Sequence, residues 1–510
     1  MLVKPIRLRA IDGGLDLSVQ PHHIDNAKSP RMKDVFFFKG EMRKAPGGIQ
    51  IGTDFPENVQ WVGVWAKENG SLLPIAVTKL DLYYYVAGNT KRWVKEAGGS
   101  GFTFTSGAIE RFSLQFFDDA LYIVSDNNVI RTWNGTPGST HTAVADGYTA
   151  RAMTVINNRL MLVAVRPSAG GVLAAQDVRW TANGIVDFTA AGSGGTTLSD
   201  RNDTVRNIAK LGPFRGIIYK DESLVEVRAT GNAEEPFEFT ELLPGLGILC
   251  GYSLVEWPGG HFFVGSDEQI YNYTGGNLDA VGEEIKDEFF ALLDPARYDH
   301  VIGSYDLVAN EYILGIPDDI ALATGCSGYW AYNIRKRRWR QGVYKNHIYI
   351  SQSPTKIATG ETIDASRKQI LISAGKKIFR LDDSMFSFDG ESIDFQWESK
   401  DFISEDEEKE LTLKEVIVQY AVDGIAELTL ETSTDEGETF SNPETKILGK
   451  AADGTVLPQN RTHYVNFSPL LTAMLFRIRL RNSIPGQRLR LDSIILRVSY
   501  AQLQRPEAHQ

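Results

Sequence analysis

The sequence predicts an all-β protein: a β-propeller of about six to seven blade-like units, followed by a C-terminal β-sandwich. Three observations lead to this prediction. Strand-turn-strand units recur along the first three quarters of the chain, alternating strands dominate after residue 384, and helical periodicity is scarce throughout. The 510 residues are enough for a large repeat domain and a smaller second domain, each with its own core.

Each recurring unit joins two apolar or aromatic runs across a polar turn, which is the pattern of a β-hairpin. Two units, 159–184 and 311–340, contain longer loops, and five are compact: 82–94, 121–133, 216–228, 261–273 and 369–381. The central residues of the units are 39, 38, 57, 45, 50 and 58 residues apart, counted at Tyr84, Ile123, Met161, Ile218, Phe263, Ile313 and Leu371. Such periods are typical of propeller blades, which take about 40 to 50 residues each.

The changes of pattern divide the chain into four parts. These are an N-terminal arm or strand (1–45), a propeller with long loop insertions (46–384), a sandwich (385–505) and a tail (506–510). We expect one helix in the propeller, "VGEEIKDEFFALLDP" at 281–295, because its apolar residues fall on one face.

The region after residue 384 predicts a sandwich because at least six alternating strands follow one another in about 115 residues. The alternation is clearest in "LFRIRLRN", where apolar residues at 476, 478 and 480 alternate with arginines at 477, 479 and 481. We therefore expect a strand with one buried apolar face and one wet face that carries the arginines.

Composition excludes several classes of protein. The formal net charge is −12, so the chain does not belong to the strongly basic nucleic-acid-binding proteins. The first residues lack the apolar core that a signal peptide needs. The chain has two cysteines, which excludes a disulfide scaffold. His22 and His23 are adjacent, and adjacent side chains on a strand point to opposite faces, so we expect them to share no metal ion. No catalytic triad, zinc or phosphate-loop motif occurs, so we expect no enzyme activity, no catalytic residues, no metal and no cofactor.

The stretch "STDEGETF" (433–440) resembles the Asp-box of sialidases and other sugar-cleaving propellers. In such a turn, Asp435 accepts hydrogen bonds from the turn itself, Gly437 supplies a positive φ and Phe440 packs against the sheet. Sialidases carry several such boxes on successive blades, whereas this chain has one, in the predicted sandwich. We therefore interpret the three residues as a structural turn and keep glycan cleavage as the least favoured function.

The one dense basic run is "RKRRWR" (335–340). It reads as the turn and second strand of a hairpin, and the structural interpretation is that the turn is merely solvated. The functional alternative is a basic hairpin that faces DNA or an acidic partner, and its candidate residues are Arg335, Lys336, Arg337, Arg338 and Arg340.

Three stretches resemble the tail nozzle proteins of short-tailed bacteriophages, also called stabilisation or tail tubular proteins. They are "GGLDLSVQPHHIDNAKSPRMKDVFFFKGEMRKAPGG" (13–48), the pair "NNRLMLVAV" (157–165) and "VRWTANGIVDF" (178–188), and the Pro-Phe segment with its glycine-flanked hairpin at 234–276. They follow the order that they have in that family, over about residues 13–340.

The resemblance implies a structural virion protein that forms a ring, usually of six subunits, below the portal and its adaptor. The implied partners are further copies of the chain, the adaptor or portal-side tail protein, a tail fibre or spike protein, and the genomic double-stranded DNA that crosses the channel. The implied location is the virion, assembled in the host cytoplasm without a membrane anchor. The main alternative is a tail-tip or receptor-binding virion protein.

Overall fold

The computed structural model describes residues 4–8, 11–86, 92–96, 111–144, 148–167, 174–317, 325–353, 356–357, 363–364, 369–382, 384–404, 409–451, 453–459 and 461–502. The predicted tail, 506–510, lies outside these residues. The chain forms two compact units. The chain-end unit comprises residues 1–49, 330–343 and 382–510, and the mid-chain unit comprises residues 50–329 and 344–381.

The mid-chain unit contains five antiparallel four-stranded sheets, each formed by strands that follow one another in the chain. The strands of the first sheet are Val59–Ala66, Leu72–Thr78, Leu82–Val86 and Arg92–Lys95, and those of the second sheet are Ser113–Phe117, Ala120–Val124, Arg131–Trp133 and Thr142–Ala143. The strands of the third sheet are Thr149–Ile156, Arg159–Arg166, Ala174–Trp180 and Gly194–Thr197, and those of the fourth sheet are Val205–Gly212, Arg215–Lys220, Ser223–Ala229 and Phe237–Pro244. The fifth is Val255–Trp257, Gly260–Val264, Ile270–Tyr273, Leu278–Ala280. Small sheets repeated in this way make the fold all-β and propeller-like.

Apolar clusters link each of these sheets to the next. One cluster contains Trp65 of the first sheet and Trp133 of the second, and further clusters link the second to the third, the third to the fourth and the fourth to the fifth. Because a strand pair with two apolar faces cannot bury both alone, this stacking accounts for the continuous apolar runs in the central strands.

The mid-chain unit also contains strands from later in the chain. They are Ile302–Asp306, Glu311–Pro317, Gln369–Ala374, Lys377–Asp382 and the short pair Lys356–Ile357 and Ile363–Asp364, while Cys326–Asn333 and Arg338–Ser353 belong to it in part. Backbone amides of Ile51, Phe55 and Val59 donate to carbonyls of Ile378, Lys376 and Gly375, at 2.8–2.9 Å. A shared apolar cluster includes Val62 and Leu371, so the first sheet also packs against the last strands of the unit.

The five compact hairpins predicted from the sequence are confirmed, since each predicted pair of runs forms two antiparallel neighbours in one sheet. The predicted helix at 281–295 is wrong in length. An α-helix covers Lys286–Ala291 and a 3-10 helix covers Pro295–His300; a second 3-10 helix is Gly251–Ser253. Ile285, Phe289 and Leu293 are buried as expected, but Leu292 is exposed. In the described part of the chain, no helix has the length and apolarity that crossing a membrane requires.

The chain-end unit has two larger sheets. The strands of the seven-stranded sheet are Lys4–Leu8, Val35–Phe38, Glu41–Lys44, Lys409–Ala421, Thr462–Phe467, Leu471–Ala473 and Arg490–Gln502. The strands of the six-stranded sheet are Met32–Lys33, Phe395–Glu398, Phe402–Ile403, Ala426–Ser433, Ser441–Leu448 and Leu475–Asn482. Smaller pieces are Gly14–Leu15, Lys28–Ser29, Gly47–Gln50, Ser387–Phe388 and Glu391–Ser392.

The predicted domain boundaries differ from these units at the N-terminal side. Residues 1–45 do not form a separate arm, because three of their strands, Lys4–Leu8, Met32–Lys33 and Glu41–Lys44, pair with strands from beyond residue 390. Lys4–Leu8, for example, pairs antiparallel with residues 494–498. The boundary expected at 384 lies close to the division between the units at 381/382.

Candidate partner-facing surface

The basic run forms a tight turn between the strands Cys326–Asn333 and Arg338–Ser353. The Lys336 amide donates to Asn333 Oδ1 at 3.0 Å, and the Arg337 amide donates to the Asn333 carbonyl at 2.8 Å. Arg337 adopts a φ of 51°, in the left-handed region. The side chains of Arg335, Lys336 and Arg337 are exposed, so three cations lie side by side at the tip of the hairpin.

Arg338 and Arg340 do not belong to this exposed surface, which corrects the sequence-based prediction for both. Only 7% of Arg338 and 3% of Arg340 are exposed. Arg338 forms an ion pair with Asp12 Oδ2 at 2.7 Å and its guanidinium lies 4.3 Å from the ring centroid of Phe37. The alternation of the strand directs these two arginines into the chain-end unit, where they bind the segment that resembles the family's opening.

Asp34 attaches that opening segment to the same hairpin. Its Oδ1 accepts the Val343 amide at 2.8 Å, and its own amide donates to the Gln341 carbonyl at 3.0 Å. Burial raises the pKa of the Asp34 carboxyl to about 6, although the Val343 amide and the charge of Lys33 favour the ionised form. Asp34 also has a φ of 52°, a conformation in which asparagine and aspartate are enriched.

Replacing Asp34 with asparagine is expected to stabilise the protein at neutral pH. The pKa of Asp34 is higher in the folded than in the unfolded chain, so its contribution to stability is complete below about pH 4 and is lost as the pH rises through about 6. The asparagine side chain would keep an acceptor for Val343 without the buried charge, and we expect the free energy of unfolding at pH 7 to rise by about 2–3 kcal/mol. Urea unfolding at a series of pH values measures this, with Asp200→Asn, an exposed aspartate, as the control. An unchanged pH dependence in Asp34→Asn would contradict it.

The Asp-box residues form the hairpin turn between the strands Ala426–Ser433 and Ser441–Leu448. Asp435 accepts hydrogen bonds from the Ser433 hydroxyl at 2.6 Å and from the Thr439 amide at 3.0 Å. These bonds lower the pKa of Asp435 to about 2. Its carboxylate is therefore occupied in shaping the turn.

Gly437 and Phe440 lie over arginines of the neighbouring strand Leu475–Asn482. Gly437 has the expected positive φ, 88°, and a β-carbon at this position would collide with the guanidinium of Arg477. The ring of Phe440 is partly buried, with the Arg479 guanidinium 3.7 Å from its centroid. Glycine is thus required both by backbone conformation and by the close approach of Arg477.

Substituting Asp435 with alanine is expected to lower the melting temperature, because the Thr439 amide and the Ser433 hydroxyl lose their acceptor. The pKa of Asp435 is depressed in the folded chain, so its contribution is present above about pH 4 and is lost as the pH falls through about 2. Thermal unfolding at pH 7 and pH 2 measures this. The difference between wild type and variant should shrink at pH 2, and equal differences at both values would argue against the assigned role.

The arginines that alternate along Leu475–Asn482 do not form the wet face expected from the sequence. Arg477 is 5% exposed and makes two bonds to Asp401, Nε to Oδ1 at 2.7 Å and Nη2 to Oδ2 at 2.9 Å. Its Nη1 also donates to Glu398 Oε2 at 3.2 Å, and both carboxylates are fully buried.

Arg479 and Arg481 extend this ion-paired row. Arg479 Nε lies 2.6 Å from Glu431 Oε2, and Arg481 lies within 4.0 Å of Glu431 and Asp394. The acidic partners come from residues 48 to 87 positions earlier in the chain. Sequence reasoning missed this row, because alternation alone does not distinguish a solvated face from one covered by acidic partners.

The paired stretches 157–165 and 178–188 lie against each other in the mid-chain unit. Asn157 and Asn158 make the turn before the strand Arg159–Arg166, with φ values of 49° and 57°. Arg159 Nη1 donates to the Thr181 carbonyl at 2.9 Å, and the Leu160 amide donates to Thr181 Oγ1 at 3.0 Å. The two stretches of the motif therefore lie against each other, and Thr181 is the hydroxyl-bearing residue that connects them.

In the described residues, no three His, Cys, Asp or Glu side chains are grouped so that they could hold a metal ion. Cys250 and Cys326 are buried and form no disulfide bond with each other. His22 and His23 lie in a turn with ring centroids 3.9 Å apart, so the expectation that they occupy opposite faces of a strand is wrong.

Comparison with protein-family models finds no match, and neither does comparison with curated proteins. Solved structures give weak similarities. PorZ, a surface component of the type-IX secretion system of Porphyromonas gingivalis, aligns with 13% identity and a TM-score of 0.37 over 65% of this chain and 37% of that chain. Virginiamycin B lyase from Staphylococcus aureus aligns with 8% identity and a TM-score of 0.39, over 66% of this chain and 97% of that chain. YCF48 bound to D1 peptide aligns with 12% identity and a TM-score of 0.37, over 69% of this chain and 99% of that chain. The chain thus spans just over a third of PorZ, and these similarities identify no family.

Proposed function

We propose that this chain is a structural virion protein of a short-tailed bacteriophage, a ring-forming tail nozzle. In this role it extends the channel of the portal and adaptor, helps to retain packaged DNA, lets the DNA pass during ejection and provides attachment for fibres or spikes. The role requires no catalytic residue and no cofactor.

The observation that carries the proposal is the ordered set of family-like motifs, supported by their structural roles. The motif pair around Arg159 and Thr181 forms one hydrogen-bonded element. The opening motif, 13–48, contributes strands to both large sheets of the chain-end unit.

The proposal includes a finer description of the fold. We describe the mid-chain unit as a propeller of about six to seven blade-like units, with the five four-stranded sheets as blades and the later strands, among them Ile302–Asp306, Glu311–Pro317, Gln369–Ala374 and Lys377–Asp382, completing the ring. The hydrogen bonds of residues 51–59 to residues 375–378 support closure of that ring. We describe the chain-end unit as a β-sandwich, because its two sheets each bury alternate side chains, as in Lys409–Ala421.

The exposed basic tip, Arg335–Lys336–Arg337, is the proposed partner-facing surface. The chain has a net charge of −12, so three adjacent exposed cations are unusual in it. They are suited to bind acidic side chains of the next subunit or of the adaptor, or the phosphates of DNA. A ring of identical subunits needs two different, complementary patches on each copy. The general acidity of the chain would limit adhesion of DNA phosphates along a channel.

Electron microscopy of the purified protein, alone and with its adaptor, tests the proposal. We expect six-fold rings, and virions that lack the protein should lose their DNA. Replacing Arg335, Lys336 and Arg337 together with glutamate should weaken ring or adaptor assembly without unfolding, whereas glutamine at the same positions should have a smaller effect. Monomers that never join an adaptor would refute the nozzle role, and binding of the isolated protein to host cells would favour a receptor-binding virion protein. Turnover of sialosides would favour the glycan-cleaving alternative.

A further inference from the structure

The mid-chain unit contains a cavity of about 270 Å³ that is partly open to solvent. Its wall takes residues from the first strand of each four-stranded sheet, or from the segment next to that strand, and the polar ones include Gln60, Arg111, Arg151, Asn207 and Glu256. This volume is well above the ~10–15 Å³ that a single water molecule needs. A small organic or inorganic ion fits such a space.

Two arginines in the wall are held in place by the protein. Arg111 donates from Nη2 to the His300 carbonyl at 2.8 Å, and its guanidinium lies 5.8 Å from the ring centroid of Tyr252. Arg151 is oriented by Asp126, with Nε 3.2 Å from Oδ2. Guanidinium groups fixed in this way bind carboxylate or phosphate with little loss of side-chain entropy.

The other ionisable groups of the wall are Tyr252 and Glu256. Burial raises the pKa of the Tyr252 hydroxyl, so at neutral pH it remains a neutral hydrogen-bond donor. Glu256 lines the cavity and accepts the Lys210 amide at 2.5 Å, and burial raises the pKa of its carboxyl. Asp126 and Asp299, which are not part of the wall, form ion pairs with Arg151 at 3.2 and 3.6 Å, so an anion in the cavity would interact chiefly with Arg111, which is bonded to the carbonyls of Asp299 and His300.

Gln60 provides an independent indication of a ligand. It is 2% exposed and lies in the cavity wall, yet neither its Nε2 nor its Oε1 has a hydrogen-bond partner among the described residues. A buried primary amide without partners is costly, and most such groups in folded proteins are satisfied. A bound oxyanion could accept from Nε2, and a protonated oxygen or a water bound with it could donate to Oε1.

We propose that this cavity binds a small oxyanion, a carboxylate or a phosphate, through Arg111, Arg151 and Gln60. The proposal is independent of the nozzle function, since it concerns only the interior of the mid-chain unit. Isothermal titration and thermal unfolding of the full chain, with inorganic phosphate and with citrate at matched ionic strength in chloride, test it and distinguish the two kinds of oxyanion. We expect at least one of them to bind and to raise the melting temperature.

Three variants make the test specific. Arg111→Gln should weaken binding about tenfold or more, because it removes a charged donor. Gln60→Leu should weaken binding but keep or raise the melting temperature in chloride, since it replaces an unsatisfied amide by an apolar group of similar size. Arg201→Gln, on an exposed arginine paired with Glu241 outside the cavity wall, should leave binding unchanged.

Two outcomes would overturn the proposal. Wild-type protein that responds to phosphate and citrate no more than to chloride would show a cavity that holds only water. Equal oxyanion affinity in wild type and in Gln60→Leu would show that binding occurs elsewhere, and this variant decides the matter even when Arg111→Gln does not fold.

Discussion

Replacing Arg477 with leucine is expected to lower the free energy of unfolding by about 3–5 kcal/mol, because it removes the cation that is bonded to two buried carboxylates. Glu398 and Asp401 are 0% and 2% exposed, and Arg477 is bonded to both. Burial already raises the pKa of Glu398, and loss of the guanidinium would raise it further. Urea unfolding at pH 7 and at about pH 4 measures the effect, which should be smaller at the lower pH, where the Glu398 carboxylate takes up a proton more readily.

Arg481→Leu is the matched control for this prediction. Arg481 lies on the same strand and the same row, but 36% of its side chain is accessible and its ion pairs span 3.7–4.0 Å. Exposed pairs contribute little, so we expect a change within about 1 kcal/mol. If Arg477→Leu proved no more destabilising than Arg481→Leu, the buried cluster would not hold the six-stranded sheet as described.

Replacing Lys220 with methionine should have a comparable effect in the mid-chain unit, about 3–5 kcal/mol. Lys220 forms an ion pair with Asp203, and the two side chains are 2% and 3% accessible. Lys220 Nζ also donates to the Leu198 carbonyl at 3.1 Å, and Ser223 Oγ donates to Asp203 Oδ2 at 2.8 Å. The pair thus connects the end of the third sheet to a hairpin of the fourth, and urea unfolding reports its loss.

The double variant Lys220→Met with Asp203→Leu separates the charge from the packing. Removing both charges avoids an unpaired buried carboxylate, so the double variant should be more stable than Lys220→Met alone. The exposed pair Arg201–Glu241, 2.6 Å apart, supplies the control, and Arg201→Gln should change stability by less than about 1 kcal/mol. A double variant less stable than Lys220→Met would contradict this account.

Features fixed by neighbouring residues could be predicted from the sequence. The compact hairpins depend on a polar turn between two apolar runs, and all of that information lies within about a dozen residues. The Asp-box turn is of the same kind, because Ser433, Asp435 and Thr439 satisfy one another locally. The exposed tip at Arg335 also follows from its place at a turn.

Features that depend on distant partners could not be predicted in this way. Arg338 is buried because Asp12, 326 positions away in sequence, pairs with it. The row of Arg477, Arg479 and Arg481 has the alternation of a solvated face, and only its acidic partners show otherwise. The cavity wall takes residues from all five four-stranded sheets, so no local pattern marks Gln60 or Arg111.

The pairing of Lys4–Leu8 with residues 494–498 has a consequence for the order of folding during synthesis. The strand Lys4–Leu8 remains without its neighbour until nearly five hundred further residues have been made, whereas each four-stranded sheet can form soon after its own segment emerges. The hairpin of Val35–Phe38 and Glu41–Lys44 can also form early, but the edge at Glu41–Lys44 lacks its partner strand Arg490–Gln502 during that interval and is a site for misassembly with other nascent chains. Translation of this protein therefore depends on keeping its first strands soluble until their late partners arrive.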